Sequence, residues 1–450
     1  MRYMGWIRRL FAPKRIPFGL FTYRGEGEFS GISLQLRVEP NMQGLLAVNA
    51  NIILYLNETA TALAYFFMQG YSTGDAVKAL KKIYRVEDET AKEDYENLVY
   101  KISTLAQTEE VCPFTFLDAE KIEPFSSETS APFRMDLALT FRCNNDCLHC
   151  YTGGPHETPE MSTEEWRRVI DKCVGLGIFT ITFTGGEPTL REDLPDLLSY
   201  AQKRGEVTGL VTNGRILKDP EYVETLENAG LDYVQITLES HIPEIHDSIT
   251  RIPGSWEETV EGIKNVEKSQ IYLSTNTTLN RRNYESFLET IDFLKSLGVA
   301  AFGCNSLIYS GSATNIAEEF ALNIDELKRI LPEVREKAGI LGLKFDWFTP
   351  TQYCRLNPLE LDLGIKSCSA CRMNMCVGPN GDVYPCQSYF ESLGNILRDD
   401  WKSIWNHPTC IMMRERKYAP EKCEDCPELA ICGAGCILEL LNEKKGICRA

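Results

Sequence analysis

The rhythm of apolar and polar positions changes twice along this 450-residue chain and divides it into three stretches. Up to about residue 110, short apolar runs predict strands at 33–38, 45–48 and 52–56, where β-branched side chains suit a pleated surface. Asn57-Glu58-Thr59 then opens a helical stretch over 60–68 that ends at Gly70. Ser72-Thr73-Gly74-Asp75 reads as the cap of a second helix, with Ala76, Val77, Leu80 and Ile83 on one face. Tyr95, Leu98, Val99, Ile102 and Leu105 mark a third. Three strands and three helices over 1–110 predict a small winged-helix-like α+β module.

The segment 111–132, ending in SSETSAP, has linker composition. From 133 to 325 the pattern alternates: strands at 136–140, 180–184, 209–212, 233–238, 272–276 and 301–305, with amphipathic helices at 164–175, 193–204, 221–229, 255–268 and 284–297 between them. Six β–α units predict a parallel sheet with crossover helices, an α/β fold of partial (β/α)6, TIM-like barrel type. Chemistry is then expected at the C-terminal ends of the strands. The remainder, 326–450, has few long apolar runs, reads as a bridging region followed by loops, and holds most of the cysteines.

Composition is globular, at 43% hydrophobic and 25% charged. A net charge of −17 argues against nucleic acid as a partner. At the N-terminus, Trp6, Ile7, Leu10 and Phe11 are interrupted by Arg8, Arg9, Lys14 and Arg15, which is no signal peptide. It reads as a basic leader packing on the body, with contact to a membrane surface as the alternative. No membrane span is expected. The 17 cysteines are clustered in a long chain, which fits metal sites in a reducing compartment, hence a cytoplasmic protein.

The first cluster is Cys143, Cys147 and Cys150 in FRCNNDCLHCY, directly after the first barrel strand. Three thiolates on one loop suit three irons of a cubane cluster and leave the fourth iron open for a ligand. Here the chain resembles the radical S-adenosylmethionine (SAM) superfamily, whose motif is CxxxCxxC with an aromatic residue before the last cysteine; His149 stands in that position and is expected to pack as an aromatic group. The resemblance covers about 135–322. It implies that TGGEP at the end of the second strand (Gly185, Gly186, Glu187, Pro188) holds the methionyl amino group of SAM. Asn213 ends the third strand, Thr237 and Glu239 the fourth, and Asn276 the fifth; with Arg251 they are the further SAM-contact candidates, capping and turn roles being the alternative. The family's chemistry is one-electron reduction of SAM to methionine and a 5′-deoxyadenosyl radical, which takes a hydrogen atom from an unactivated carbon.

The second constellation is CEDCPELAICGAGC, preceded by CSACRMNMCVGPNGDVYPC. It resembles the SPASM extension, which binds two further 4Fe-4S clusters. Carried over, Cys368, Cys371, Cys386 and Cys436 hold auxiliary cluster I, and Cys423, Cys426, Cys432 and Cys448 hold auxiliary cluster II. Cys376 competes with Cys368 for one place, and an open iron on cluster I is the other alternative. Structural zinc is the competing reading, but these spacings without a histidine pair fit it poorly. Cys112, Cys173, Cys304, Cys354, Cys376 and Cys410 are otherwise expected as buried or incidental thiols.

The N-terminal module carries 13 basic and 13 acidic residues over 1–110, so it lacks the basic stripe of a DNA reader. Over 33–105 it resembles the PqqD-like recognition element, which captures the leader of a ribosomally made precursor peptide by strand addition at a sheet edge. Packing on the barrel without a ligand is the alternative. The resemblances together imply a peptide-modifying radical SAM maturase that forms a thioether or other crosslink. It is supplied with electrons by a one-electron reductant such as flavodoxin or ferredoxin. A sulfatase-type maturase is one rival; those proteins place Asp after the Gly-x4-Cys cysteine, where this chain has Gln387. A haem- or quinone-pathway enzyme is another, and a non-catalytic iron–sulfur carrier or peptide chaperone a third.

Overall fold

A computed structural model of the chain describes residues 15–25, 29, 32–49, 52–107 and 129–444. Packing divides it into two compact units, 1–133 with 171–179, and 134–170 with 180–450.

The first unit holds strands β1 (Gly19–Arg24), β2 (Ser33–Val38), β3 (Gly44–Val48) and β4 (Ile52–Leu56) in one antiparallel sheet in that order. Three helices follow: α1 (Glu58–Met68), α2 (Thr73–Ile83) and α3 (Asp88–Gln107). The expected caps are made, the Asn57 side chain accepting from the Ala60 N–H at 2.9 Å and the Ser72 hydroxyl from the Asp75 N–H at 3.2 Å. Leu36, Leu46, Phe66, Ala76, Leu80 and Ile102 form the core. The sequence reading missed β1, a GLFTYR strand hidden behind the basic N-terminal leader. The segments 1–14 and 108–128, with most of the expected linker and Cys112, lie outside the described residues. Within this unit Arg37 is buried. Its Nε lies 2.8 Å from the Glu39 carboxylate, its Nη1 donates to Pro132 O at 2.9 Å, and its guanidinium lies over Phe133 and Phe179.

The second unit is built on a nine-stranded open sheet, order β11-β10-β9-β8-β7-β6-β5-β12-β13. Its strands are β5 (Arg134–Thr140), β6 (Thr180–Gly185), β7 (Val207–Thr212), β8 (Tyr233–Thr237), β9 (Tyr272–Thr278), β10 (Ala301–Asn305), β11 (Lys344–Trp347), β12 (Asn374–Val377) and β13 (Val383–Tyr384). Strands β5 to β11 run parallel, as the α/β alternation requires. The six expected strands are present within one or two residues, and β11 adds a seventh. The cysteine-rich C-terminal part shares this sheet: β12 pairs in parallel with the outer side of β5, placing Cys376 opposite Asp136. Among the helices, α4 (Thr163–Gly175), α5 (Leu194–Lys203), α6 (Pro220–Asn228), α7 (Pro243–Thr250), α8 (Ser255–Glu267) and α9 (Phe287–Ser296) cross between strands. α10 (Ala313–Phe320) and α11 (Ile324–Leu341) follow β10. No helix among the described residues is long and apolar enough to cross a membrane.

Glu206, just before β7, is 1% exposed and neither carboxylate oxygen has a hydrogen-bond partner among the described residues. Burial pushes its carboxyl well above the usual range. An acid held this way binds its proton more tightly folded than unfolded. Its stabilising contribution is present below the unfolded value, about 4.3, and is lost as pH rises through the folded value, at about 1.4 kcal/mol per pH unit titrated. Glu206→Gln is therefore expected to stabilise the fold by more than about 1 kcal/mol at pH 8 relative to its effect at pH 5, read by denaturant unfolding at both pH values. An equal effect at both would contradict this.

Candidate active site at the strand ends

The cysteine loop leaves β5 at Thr140 and is held from three sides. Asp146 and Leu148 donate their N–H groups to Thr250 O (3.0 Å) and Ile249 O (2.9 Å) at the end of α7. Ser312 N–H donates to Cys150 O at 2.9 Å from the loop after β10. The Arg215 guanidinium donates to Asn144 O and to Asn145 Oδ1. The Asn213 amide donates to Asn144 Oδ1 at 2.6 Å, and its nitrogen stands 3.9 Å from Cys143 Sγ. The loops after β7 and β10 and the end of α7 thus converge on the loop of Cys143, Cys147 and Cys150, all partly buried.

The turn after β6 is the second component. A Cβ on Gly185 (φ +136°) would stand 2.2 Å from Thr140 O, and one on Gly186 2.3 Å from Arg142 O, so only glycines let this turn lie against the base of the cysteine loop. Glu187 is fully buried. Its Oε1 accepts from Thr189 N–H (3.1 Å), Thr189 Oγ1 (2.6 Å) and Thr212 Oγ1 (2.7 Å), and its Oε2 from Asn213 N–H (2.8 Å). Burial outweighs these bonds and raises the Glu187 carboxyl. Pro188 starts a short 3₁₀ turn capped by Glu187.

Burial, and then the Glu187 charge, push the Cys143 thiol up to about 12. Cys147 is likewise pushed well above the usual thiol range by burial, with Glu239 next. Thiols in such surroundings become thiolates only against a strong positive charge, which a metal cluster brings. Among the described residues no three His, Cys, Asp or Glu side chains close on a single ion. A four-iron cube gives each thiolate its own corner, so a spread donor set fits it.

Glu239, past β8, is 1% exposed; it accepts from Thr278 N–H at 3.2 Å, and its Oε1 lies 3.1 Å from His149 Nε2. His149 stacks on Phe320 at 5.8 Å, so its expected packing role is joined by a polar partner that the sequence did not indicate. The Glu239 N–H donates to His246 Nδ1, and burial lowers the His246 pKa. Asn276 donates to Asn305 Oδ1 at 2.9 Å, while Asn276 Oδ1 and His149 Nδ1 are buried with no hydrogen-bond partner among the described residues. These open acceptor and ring positions at strand ends fit an amine- and hydroxyl-bearing cofactor such as SAM. Thr237 ends β8. Arg251, left-handed at φ 61°, pairs with Asp146 of the cysteine loop at 3.3 Å and is more than half exposed, so it braces that loop. Sequence reading missed Asn305, Arg215 and His246; only the polar ending of an apolar strand pointed to Asn305.

In the C-terminal part Cys368, Cys386 and Cys436 act electrostatically on one another. Cys371 is buried with its Sγ 2.8 Å from that of Cys410 and also feels Cys386. Cys376 packs with Ala138, Phe141 and Tyr384 in an apolar cluster and also feels Cys386. Cys423 has Cys426 and Cys432 as neighbours; Cys448 lies outside the described residues.

Comparison with known proteins matches residues 137–294 to the radical SAM superfamily model and 368–427 to SPASM, an iron–sulfur cluster-binding domain. The chain is similar to the AdoMet-dependent heme synthase of Methanosarcina barkeri, 26% identical and covering 68% of this chain and 92% of that protein. It is similar to the antilisterial bacteriocin subtilosin biosynthesis protein AlbA of Bacillus subtilis, 26% identical and covering 87% and 86%. Its fold matches Streptococcus suis SuiB, solved bound to precursor peptide SuiA, with TM-score 0.67 and 18% identity over 94% of this chain and 97% of that one.

Gly311 (φ +56°) fixes the approach of the β10 loop, since a Cβ there would stand 2.5 Å from Cys150 O, Tyr151 O and Gly153 N. Gly311→Ala is expected to displace the cysteine loop and lower iron uptake by roughly one four-iron cluster per chain, with circular dichroism unchanged. Wild-type iron content in the variant would contradict the clamp.

Proposed function

The chain belongs to the radical SAM superfamily and carries a SPASM iron–sulfur domain, and on that premise we propose that it is a maturase that oxidatively modifies a ribosomally made precursor peptide. When bound, the cluster and SAM supply one-electron cleavage of the sulfonium to methionine and a 5′-deoxyadenosyl radical able to abstract hydrogen from carbon. The chain's own residues arrange this chemistry. Cys143, Cys147 and Cys150 would hold three irons. Glu187 keeps a buried carboxylate at the strand end, where an ammonium would balance it, and Asn276 offers an open acceptor. Phe320 stacks on His149 of the cysteine loop, and Glu239 pairs with that ring's Nε2.

The observation that carries the peptide reading is the reach of the AlbA likeness. At 87% of the chain it exceeds the 340 residues that follow residue 110, so it runs into the N-terminal module. The heme synthase likeness, at 68%, does not require that module. In the module, β4 is an edge strand with Ile53 and Tyr55 exposed, a surface suited to an added strand of leader peptide with apolar side chains. We further assign three 4Fe-4S clusters, the auxiliary pair accepting the second electron of a net oxidation and a flavodoxin or ferredoxin supplying the first.

Two experiments test this. Cys143→Ala is expected to abolish 5′-deoxyadenosine formation from SAM; continued formation would overturn the cluster assignment. Residues 1–110 are read here as the leader-binding part, so the full chain is expected to retain one short peptide from its host and, with reductant and SAM, to lower that peptide's mass by two hydrogens. Retention of a folded protein, or no peptide mass change, would count against a peptide maturase.

A further inference from the structure

A buried cation stands between the two groups of SPASM cysteines. Arg416 is 8% exposed and follows the helix Pro408–Arg414 in a left-handed turn (φ 57°). Its Nη2 donates both to Ser367 Oγ at 2.9 Å and to Ala430 O at 3.2 Å. Ser367 precedes Cys368, and Ala430 lies in the short helix Leu429–Cys432. The fit is close on that second side. Gly433 is left-handed (φ +63°), and a Cβ there would stand 2.5 Å from both Arg416 Cζ and Ser367 Oγ. One guanidinium therefore touches the stretch of Cys368, assigned to auxiliary cluster I, and the stretch of Cys432, assigned to auxiliary cluster II. Among the described residues Arg416 has no carboxylate partner; it meets hydroxyl and carbonyl oxygens. Arg37, the buried arginine of the first unit, has the Glu39 carboxylate at 2.8 Å. A buried charge without a counter-ion is costly, so Arg416 calls for an anion that the chain itself does not supply.

A four-iron cube held by thiolates is an anion, and taking up one electron makes it more negative. Two such cubes, one on each cysteine group, are the counter-ions that Arg416 lacks. We propose that Arg416 is a positioning residue for electron transfer in the cluster domain: it ties the two auxiliary-cluster loops together, and its charge makes both clusters easier to reduce. The inference rests on the reading that both cysteine groups hold clusters, and it deepens the proposed net oxidation. The second electron of that oxidation then passes to an acceptor that a buried cation has made ready for it. Charge counts for more here than at the surface, because water is excluded. Other anchors stay when Arg416 is replaced: Arg414 Nη1 donates to Cys371 O at 3.2 Å, and the Tyr418 hydroxyl donates to Gly433 O at 2.6 Å.

The test uses the full chain, anaerobically reconstituted with iron and sulfide, as wild type and as Arg416→Gln, Arg416→Lys, Cys371→Ala and Cys423→Ala variants. Iron per chain is measured, and a redox titration followed by EPR reads the midpoint potential of each cluster signal. The two cysteine variants identify which signals belong to the auxiliary clusters. Arg416→Gln is expected to keep its iron and to shift both auxiliary midpoints to more negative values, with the midpoint of the SAM-binding cluster unmoved. Arg416→Lys keeps the charge but not the planar fork, and is expected to return both midpoints towards wild type. Unchanged midpoints in Arg416→Gln overturn the proposal. So does an equal shift in Arg416→Lys, which would leave Arg416 a structural tie alone. If Arg416→Gln loses iron, the lysine variant decides: wild-type iron and midpoints there support the role of the charge, and iron loss in both overturns it. If neither cysteine variant removes a signal, the auxiliary-cluster reading itself is overturned, and the role of Arg416 falls with it.

Discussion

The site depends on one buried carboxylate. Glu187 is sealed from solvent, and its two oxygens accept four hydrogen bonds from Thr189, Thr212 and Asn213. Those bonds tie the turn after β6 to the loop after β7. Asn213 extends the tie to Asn144 in the cysteine loop, and the backbone of the same turn donates from Gly186 N–H to Thr140 O and from Glu187 N–H to Arg142 O. The Glu187 side chain, the Asn213 amide and the backbone of this turn together set the relative position of three strand-end loops. Bonds to an ionised acceptor are the stronger kind, and losing one partner of such a buried set costs more than the bond is worth in water.

The same carboxylate leaves an electrostatic imbalance. Glu187 raises the Cys143 thiol and Glu239 the Cys147 thiol, while the Arg215 guanidinium that reaches Asn144 and Asn145 between them is already paired with Glu258. Buried negative groups of this kind are tolerated when a cation joins them. An ammonium beside Glu187 and irons on the thiolates would complete the charge balance, which is a physical reason for the cluster loop and the Gly-Gly-Glu-Pro turn to lie together. Arg251 does not enter that balance, because Asp146 already holds it at the rim.

Much of this was legible in the residue pattern. Alternation of apolar runs located the barrel strands, and cysteine spacing located the loop, because both are local properties. What the pattern hides is pairing across distance. Cys376 stands among close-set cysteines in the sequence, and only the pairing of β12 with β5 sets it beside Ala138 and Phe141 while it still feels Cys386. His149 reads as a packing ring, and only the fold brings Glu239 to its Nε2, ninety residues further along. Cys410 reads as incidental, yet its sulfur touches that of Cys371. β1 escaped notice because a basic segment precedes it.

The strand-end site shares its sheet with the cysteine-rich part of the chain, and a separate unit holds a four-stranded sheet that ends at β4 among the described residues. The central claim is that the Cys143–Cys150 loop and the Glu187 turn form one cofactor site. The direct measurement is the EPR spectrum of the reduced protein with and without SAM, in wild type and in Glu187→Ala. The account predicts that SAM shifts the signal of one cluster in wild type and fails to do so in the variant at the same concentration. An equal shift in both, or none in wild type, would contradict it.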